Sequence, residues 1–491
     1  MKLGELAART PGAVLSGDPD LDVEEVTHDS RRVGAGSLFV AIRGLAHDGH
    51  AFIEAARRRG AVAVASEEAP REGIPWLRVP DAREALALLS AAALGDPARA
   101  LTLVGVTGTN GKTTTTYLID AALRAAGRRT GRLGTIEYRI GDQVAEAVRT
   151  TPESSDLQKL FRRMVDAGCS HAVLEVSSHS LALKRVHGCA FAVAVFTNLT
   201  RDHLDFHGDM ERYYAAKRVL FDTLLRADGH AVVNAEDDRA ADLARAARGR
   251  VWTFALEGPA DLSAERVKLS LSGTSFRART PAGEFEVHTP LLGRFNVQNV
   301  LAALGASLAL GLAAEDAIRG MGSVQGVPGR LERIDAGQEF SVLVDYAHTD
   351  DALRNLLETV RALGPRRLIT VFGCGGDRDR SKRPLMGAVA ARLSDFVILT
   401  SDNPRREPPE AILEDIQRGM SGSPPDKRLV IADRRAAIAR AVEMAGSGDA
   451  VVIAGKGHET QQVLAERSVP FDDRQVARDA LGRIVLQRGE A

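Results

Sequence analysis

The sequence predicts an α/β protein of three domains. Three observations lead there. The chain has 491 residues, and at roughly 150 residues per domain that gives about three. Short apolar runs alternate with stretches of helical spacing, the pattern of parallel sheets crossed by helices. Polar or glycine-rich segments follow most of those runs directly, which is where open α/β sheets bind ligands. The expected domains are 1–98, 99–330 and 331–491.

In the first domain, Ser37–Ile42 and Ala61–Ala65 read as strands, with a helix over Ala51–Gly60 between them and a second over Asp81–Gly95. Asp96–Ala100 reads as a linker. The second domain opens on the β-like run Leu101–Val106, a glycine-rich turn and the helical stretch Thr113–Gly127. Further strands are expected at Ala172–Val176, Ala192–Phe196 and Ala231–Val233, and the block closes near Pro328–Arg330. The last third offers Ser341–Val344, Leu368–Phe372, Phe396–Leu399, Leu429–Ile431 and Val451–Ala454. Its strand-end segments are Gly373–Pro384, Ser401–Pro408 and Gly455–Thr460.

Composition narrows the function. Lys and Arg number 64 against 65 Asp and Glu, a net charge of −1, so nothing global favours nucleic acid or an anionic membrane. Hydrophobic residues at 44% and charged residues at 26% exclude disorder across the chain. The 3 cysteines are too few and scattered for a disulfide framework or a cysteine-rich zinc site. The N-terminus lacks the apolar segment of a signal peptide, and no charge-free apolar run reaches about 18 residues. A cytoplasmic monomer without a membrane span is the expectation.

Gly105–Thr113 (GVTGTNGKT) sits between an expected strand and an expected helix, the context a phosphate cradle needs. Lys112 would neutralise β/γ-phosphate charge and the Thr113 hydroxyl would reach Mg²⁺. The strict G-x-x-x-x-G-K-[ST] pattern is not met, because Val106 holds its first glycine position. Glu175 lies near a strand end, where a carboxylate can reach a metal beside phosphates. The next strand leads into TNLTRDHLDFHGD, which carries Asp202, His203 and Asp205. His203 and His207 also have the i, i+4 spacing of zinc ligands, without an HExxH pattern. Lys217 in YYAAKRVLF reads by itself as a solvated helix lysine. Asn296 and Asn299 in GRFNVQN stand where a helix begins, and capping would account for one of them.

TGTNGKTTT resembles the ATP-binding signature of the Mur ligases, which build the peptide of bacterial cell-wall precursors; folylpolyglutamate synthetase is a relative with a similar loop. The resemblance runs from Ser30 to the region of Glu459. It implies a central P-loop-type parallel-sheet domain and a C-terminal Rossmann-like domain, with ATP and Mg²⁺ as cofactors. ATP would be bound by Gly108, Thr109, Asn110, Gly111, Lys112, Thr113 and Thr114, with Asn296, Asn299, Arg330 and Asp345. Thr113, Glu175 and His203 would hold metal. Lys217 would be carbamylated, as the lysine of YxxAKxxLF is in the family, and coordinate a second Mg²⁺. Lys112, His203 and Lys217 would form the catalytic set.

The same resemblance gives the other substrates. Ser30 and His47, in THDSR before the first expected strand and GLAHDGH after it, match segments that bind the uridine diphosphate, although ordinary turn chemistry explains such residues equally well. Thr150, Thr151, Ser177 and Arg185 match the segments that hold the muramoyl-dipeptide. Some members have Gln where this chain has Leu183, so Leu183 is left out of the site. Thr349-Asp350 replaces the frequent Thr-Pro, which should alter only a turn. Asp402-Asn403-Pro404-Arg405 resembles the signature of members that add meso-diaminopimelate. Arg378 and Arg405 can fork onto its distal carboxylate and Asn403 can bond it, while Glu459 and the Gly455 carbonyl hold its amine. Lysine lacks that carboxylate and would leave the arginines unpaired.

The reaction implied activates a carboxylate as an acyl phosphate, which an amine attacks with loss of phosphate. Competing readings are a lysine-adding or D-alanyl-D-alanine-adding ligase, a phosphate-loop kinase or NTPase, and a nucleotide-responsive scaffold.

Overall fold

The computed structural model describes residues 1–44, 47–270, 273–422 and 424–489. Leu45 and Ala46 of GLAHDGH, and Ser423 in the SGSPPDKR loop, lie outside them. Among the described residues the strands form sheets of five, eleven and six strands and a two-stranded ribbon.

The N-terminal sheet runs in the order Val14–Ser16, Trp76–Arg78, Ala61–Ser66, Ser37–Val40, Glu25–Thr27. All neighbours are parallel except the Val14–Ser16 edge. THDSR therefore follows a strand, Glu25–Thr27, instead of preceding the first one. Asp81 caps the helix Ala82–Ala93 by accepting from the Arg83 and Glu84 amides, both at 2.9 Å. The expected linker Asp96–Ala100 is structured: Asp96 takes a left-handed conformation and Pro97–Ala100 a 3₁₀ turn.

The central sheet is parallel over seven neighbouring strands, from Leu262–Ser270 across Thr102–Thr107 to Thr130–Leu133. Thr102–Thr107 lies in the middle, between Phe191–Phe196 and His171–Glu175. Its residues 103–107 are buried because helices cover both faces of such a sheet. One side packs on Lys112–Ala125, Arg294–Ala309 and Ala314–Gly322, and the other on Ser154–Asp166 and Met210–Asp222. Antiparallel additions extend both edges: Glu137–Ile140 with Gln143–Glu146, and Gly273–Thr280 with Gly283–Thr289.

The C-terminal sheet reads Glu332–Ile334, Ser341–Asp345, Ala450–Ala454, Leu368–Phe372, Phe396–Leu399, Arg428–Val430, with only its first pair antiparallel. Thr349-Asp350 opens a helix. The Thr349 hydroxyl accepts from the Ala352 amide at 3.2 Å and caps the helix Asp350–Ala362, with Asp350 and Asp351 favourably placed in its first turn. No helix of the described residues is long and apolar enough to cross a membrane.

Candidate functional site

A cavity of about 1190 Å³ opens at the carboxyl ends of the central strands and reaches the C-terminal sheet. Thr102–Thr107 delivers the phosphate loop to its floor, and Gly108 through Thr114 all line it. The loop is fixed from the neighbouring Thr197–Thr200 segment. The Thr109 amide donates to the Asn198 carbonyl at 2.8 Å, the Asn110 amide to Asn198 Oδ1 at 2.9 Å, and Thr197 Oγ1 to the Asn110 carbonyl at 2.6 Å. The helix begins at Lys112, so its first amides have no intrahelical acceptor and remain for an anion. Gly108, at φ 150°, lies against Thr197 and leaves no room for a Cβ.

Two lysines converge on one oxygen. Lys112 Nζ and Lys217 Nζ each donate to the Gly108 carbonyl at 2.9 Å, and Lys112 also reaches the Thr109 carbonyl at 2.8 Å. Lys217 is buried in the helix Met210–Asp222, not solvated as an isolated reading of its sequence suggests. Burial, and then the Lys112 charge, hold its amine well below the ordinary lysine range. Lys112 is lowered mainly by desolvation.

Glu175 ends the strand His171–Glu175, and its carboxylate accepts from the Thr135 amide at 2.8 Å and the Thr135 hydroxyl at 3.0 Å. His203 takes a left-handed φ of 56° and stands edge-on to His179, with ring centroids 4.7 Å apart. Burial pushes its imidazole down to about 3. His207 turns instead to Ser178 Oγ at 3.0 Å, so the i, i+4 pair does not chelate. Among the described residues no three His, Cys, Asp or Glu side chains are grouped to hold a metal. Thr113, Glu175 and His203 still offer a hydroxyl, a carboxylate and an imidazole to the same cavity. That donor set fits a magnesium ion which draws its remaining ligands from water and phosphate oxygens.

Arg330 crosses from the C-terminal side: its guanidinium donates to Thr113 Oγ1 at 3.3 Å and lies 4.5 Å from the Tyr346 ring centroid. Asp345 shapes this corner by accepting from the Leu331 amide at 2.6 Å and the Ala347 amide at 2.8 Å, and burial raises its carboxyl above the ordinary range. Asn299 lines the cavity, with Oδ1 accepting from Thr115 at 3.4 Å. Asn296 does not cap its helix. Gly293 is the N-cap, and Asn296 is buried behind Asn299, donating to the Leu292 carbonyl at 2.8 Å.

Thr150, Thr151, Ser177 and Arg185 share the same cavity. Thr151 Oγ1 donates to the Glu175 carbonyl at 2.7 Å, which ties this segment to the metal-side strand. Ser177 caps the helix Ser178–Ala182. Arg185 bridges Glu153 at 2.7 Å and donates to the Thr151 carbonyl at 3.2 Å, while its buried Nε has no hydrogen-bond partner among the described residues. Leu183 is half-buried and absent from the cavity wall. Ser30 and His47 stand apart from the cavity, His47 on an exposed turn.

The expected amine-binding residues gather at the carboxyl ends of three adjacent parallel strands, Ala450–Ala454, Leu368–Phe372 and Phe396–Leu399. Of this group only Arg378 also lines the large cavity. Arg405, at φ 51°, donates to the Gly376 carbonyl at 2.8 Å, and burial followed by the Arg378 charge lowers its guanidinium. Pro404 packs its carbonyl against Gly376. Asp402 accepts from the Asn403 amide at 2.7 Å and faces Gly455, where a Cβ would stand 2.6 Å from its carboxylate. Asn403 Nδ2 donates to Glu459 Oε2 at 2.8 Å. Glu459 Oε2 is thus already engaged, leaving Oε1, 3.5 Å from the Tyr346 hydroxyl, to meet a ligand.

Sequence reasoning missed Thr135, Tyr346, His348 and Lys456. Tyr346 and His348 lie in VDYAHT and Lys456 in GKGHET, so adjacency to motif residues was the available signal. Thr135 carried none.

The chain resembles known proteins throughout. Residues 106–307 match the Mur ligase middle domain, 329–457 the Mur ligase, glutamate ligase domain, and 22–93 the Mur ligase family, catalytic domain. A UDP-N-acetylmuramoyl-L-alanyl-D-glutamate–2,6-diaminopimelate ligase of Solibacter usitatus is 50% identical over 98% of both chains. The enzyme of that name from Geobacillus kaustophilus is 46% identical over 98% of this chain and 99% of its own. A solved structure of a ligase so named superposes with a TM-score of 0.72 at 36% identity, covering 99% of each chain. The ADP complex of the MurF ligase from Thermotoga maritima, with a TM-score of 0.63 at 20% identity over 95% of this chain and 97% of that one, shares the fold. An end-to-end match at half identity, with family models spread along nearly the whole length, makes this chain a member of the Mur ligase family.

Proposed function

We propose that the chain is an ATP-dependent ligase that joins meso-2,6-diaminopimelate to UDP-N-acetylmuramoyl-L-alanyl-D-glutamate, releasing ADP and phosphate, in peptidoglycan precursor synthesis. The observation that carries this reading is one cavity lined by the phosphate loop, by Thr150–Thr151 with Ser177 and Arg185, and by Arg378 at the edge of the strand-end cluster. A kinase or NTPase would account for the first group only.

In this reading residues 1–98 hold the uridine diphosphate, through Ser30 and His47, residues 99–330 hold ATP, and residues 331–491 supply the amine. A cytoplasmic monomer suits soluble nucleotide-linked substrates. Gly108–Thr114 cradle the phosphates, and Lys112 leaves its two carbonyls to meet the transferring phosphoryl group. Asn299, backed by Asn296, and Arg330, seated by Asp345, orient the nucleotide. Arg185 holds the dipeptide so that its carboxylate accepts the phosphoryl group. The amine then displaces phosphate, with Arg378, Arg405 and Asn403 on its distal carboxylate and Glu459 and the Gly455 carbonyl on its distal ammonium. Thr113, Glu175 and His203 would hold magnesium, which supplies charge neutralisation at the phosphates. Lys217, as its carbamate, would bind a second ion. The carbamate would form as the neutral Lys217 amine adds to carbon dioxide and releases a proton, and burial beside Lys112 favours that neutral amine.

The test is phosphate release with ATP, Mg²⁺ and the UDP-muramoyl-dipeptide, comparing meso-diaminopimelate with L-lysine. Release with diaminopimelate alone, with the tripeptide product seen by mass, is expected. Equal use of lysine would overturn the amine assignment, and release independent of any amine would overturn the ligase.

A further inference from the structure

Behind the strand-end cluster lies a lysine that no step above uses. Lys456 follows Gly455 on the loop after Ala450–Ala454, and its side chain is 0% exposed. Its ammonium has three donors, and all three are spent: on Asn403 Oδ1 at 3.0 Å, Glu459 Oε2 at 2.8 Å and the Gln461 carbonyl at 2.6 Å. Asn403 Oδ1 also accepts from the Val463 amide at 2.9 Å. Both lone pairs of that amide oxygen are therefore occupied from within the protein.

These bonds fix what the two side chains can offer. Asn403 cannot turn its carbonyl outward, because Lys456 and Val463 hold it. It presents only Nδ2, with one hydrogen on Glu459 and the second free. Glu459 has Oε2 bonded to Lys456 and Asn403, so it presents Oε1, an acceptor. The pair becomes a donor beside an acceptor, spaced by a fixed hydrogen bond. A zwitterionic carbon, bearing a carboxylate and an ammonium, matches that pattern. A bare ammonium fills only the acceptor half and leaves the donor unpaired.

We propose that Lys456 is the positioning residue for amine selection: by holding Asn403 Oδ1 and Glu459 Oε2 together it sets a donor at Asn403 and an acceptor at Glu459, the pattern of an amino-acid terminus. This rests on the assignment of that cluster as the diaminopimelate pocket. Without the ammonium, Asn403 Oδ1 keeps only the Val463 amide and Glu459 Oε2 keeps only Asn403 Nδ2, so the amide is held less firmly and Oε2 regains a lone pair for a bare ammonium. Selectivity then falls, beyond any loss of affinity.

The experiment uses full-length protein and compares wild type with Lys456→Met and Lys456→Arg in amine-dependent phosphate release. For each, kcat/KM is measured for meso-diaminopimelate and for L-lysine, with KM for ATP and for the UDP-muramoyl-dipeptide. Lys456→Met is expected to lower the diaminopimelate-to-lysine ratio of kcat/KM by on the order of 10- to 100-fold, the range of a lost charge-assisted hydrogen bond. KM for the other two substrates should stay within about twofold, on the argument that distant sites are independent. Lys456→Arg, which retains charge and donors, should recover part of the ratio. A merely structural lysine would reduce the active fraction for both amines alike, so an unchanged ratio overturns the proposal. If Lys456→Met does not yield folded protein, Lys456→Gln carries the same measurement and the same two outcomes. Wild type showing no preference for diaminopimelate would instead overturn the pocket assignment, so the two failures are distinguishable.

Discussion

The phosphate cavity and the strand-end cluster both contain buried cations, and they treat them oppositely. In the cavity the two lysines meet only carbonyls: Lys112 and Lys217 share that of Gly108, while Arg330 and Arg185, the latter paired with Glu153, each keep a buried Nε without a hydrogen-bond partner among the described residues. In the C-terminal sheet the charges meet carboxylates. Lys456 uses every donor, with Glu459 among its acceptors, Arg434 forks onto Asp473 at 2.7 and 2.6 Å and caps the Ala454 carbonyl at 3.0 Å, and Arg383 is shared by Glu407 and Asp415, with only its buried Nε left unpartnered among the described residues. Lysines met only by carbonyls are arranged to receive an anion. Cations met by carboxylates of their own domain are arranged to keep its shape.

The largest effect that would test this contrast is at Lys112. Lys112→Met should lower the rate of phosphate release by on the order of 10³-fold, as for loss of one transition-state charge contact. Its thermal midpoint should not fall, because the ammonium it removes is satisfied only by carbonyls. A rate loss under about tenfold would break the comparison from the catalytic side. Arg434→Met strands a fully buried carboxylate and should cost about 3–5 kcal/mol in denaturant unfolding. Adding Asp473→Leu should restore most of that stability, since replacing a buried pair by apolar groups is often neutral. Restoration to less than half would show that Arg434 acts through the Ala454 carbonyl instead.

Acid gives a milder probe of the carboxylate-paired region. The Arg383 guanidinium holds the Glu407 carboxyl down at about 2, against an ordinary 4.5. A depressed folded pKa contributes stability above pH 4.5 that is lost as pH falls through about 2. Glu407→Gln should therefore flatten the acid limb of the stability curve over that window, and an unchanged limb would remove Glu407 from the account. The smallest effect is expected at the seam between the N-terminal and central sheets. Lys184 bridges Asp81 at 2.8 Å and Glu84 at 2.5 Å, and is about a third exposed. Lys184→Met should cost only about 0.5–1 kcal/mol. Because Arg185 is its neighbour, KM for the nucleotide-sugar should rise a few-fold, measured by phosphate release at varied substrate.

What the sequence made legible follows the same physics. The parallel strands stood out because burial on both faces turns them into unbroken apolar runs such as Val104 and Val106 or Ala194–Phe196. The antiparallel extensions were missed because one face is wet. In Leu262–Thr289 the alternation is carried by pairs such as Arg277 with Glu286 and Arg279 with Glu265, which look like any charged segment. Motif residues at strand ends were legible because their backbone context is local. Ser30 and His47 were matched from the resemblance of their short segments alone, and such a local pattern could not tell where the turns stand relative to the cavity. Thr135 was invisible because its role is conferred by Glu175, 40 residues away, and Asn296 was misplaced by one layer because a helix start and a second row behind a cavity wall share one local pattern.

The bond from Arg330 to Thr113 spans 217 residues of sequence. During synthesis at the ribosome the phosphate loop emerges early, while the guanidinium that meets its threonine arrives only after about two thirds of the chain is made, at domain-wise rates of roughly 5–20 residues per second. For roughly 10–40 seconds the nascent protein holds a phosphate loop without its last wall. Completion of the nucleotide site is thereby a late event of biogenesis, and a chain interrupted before residue 330 is left with an unfinished one.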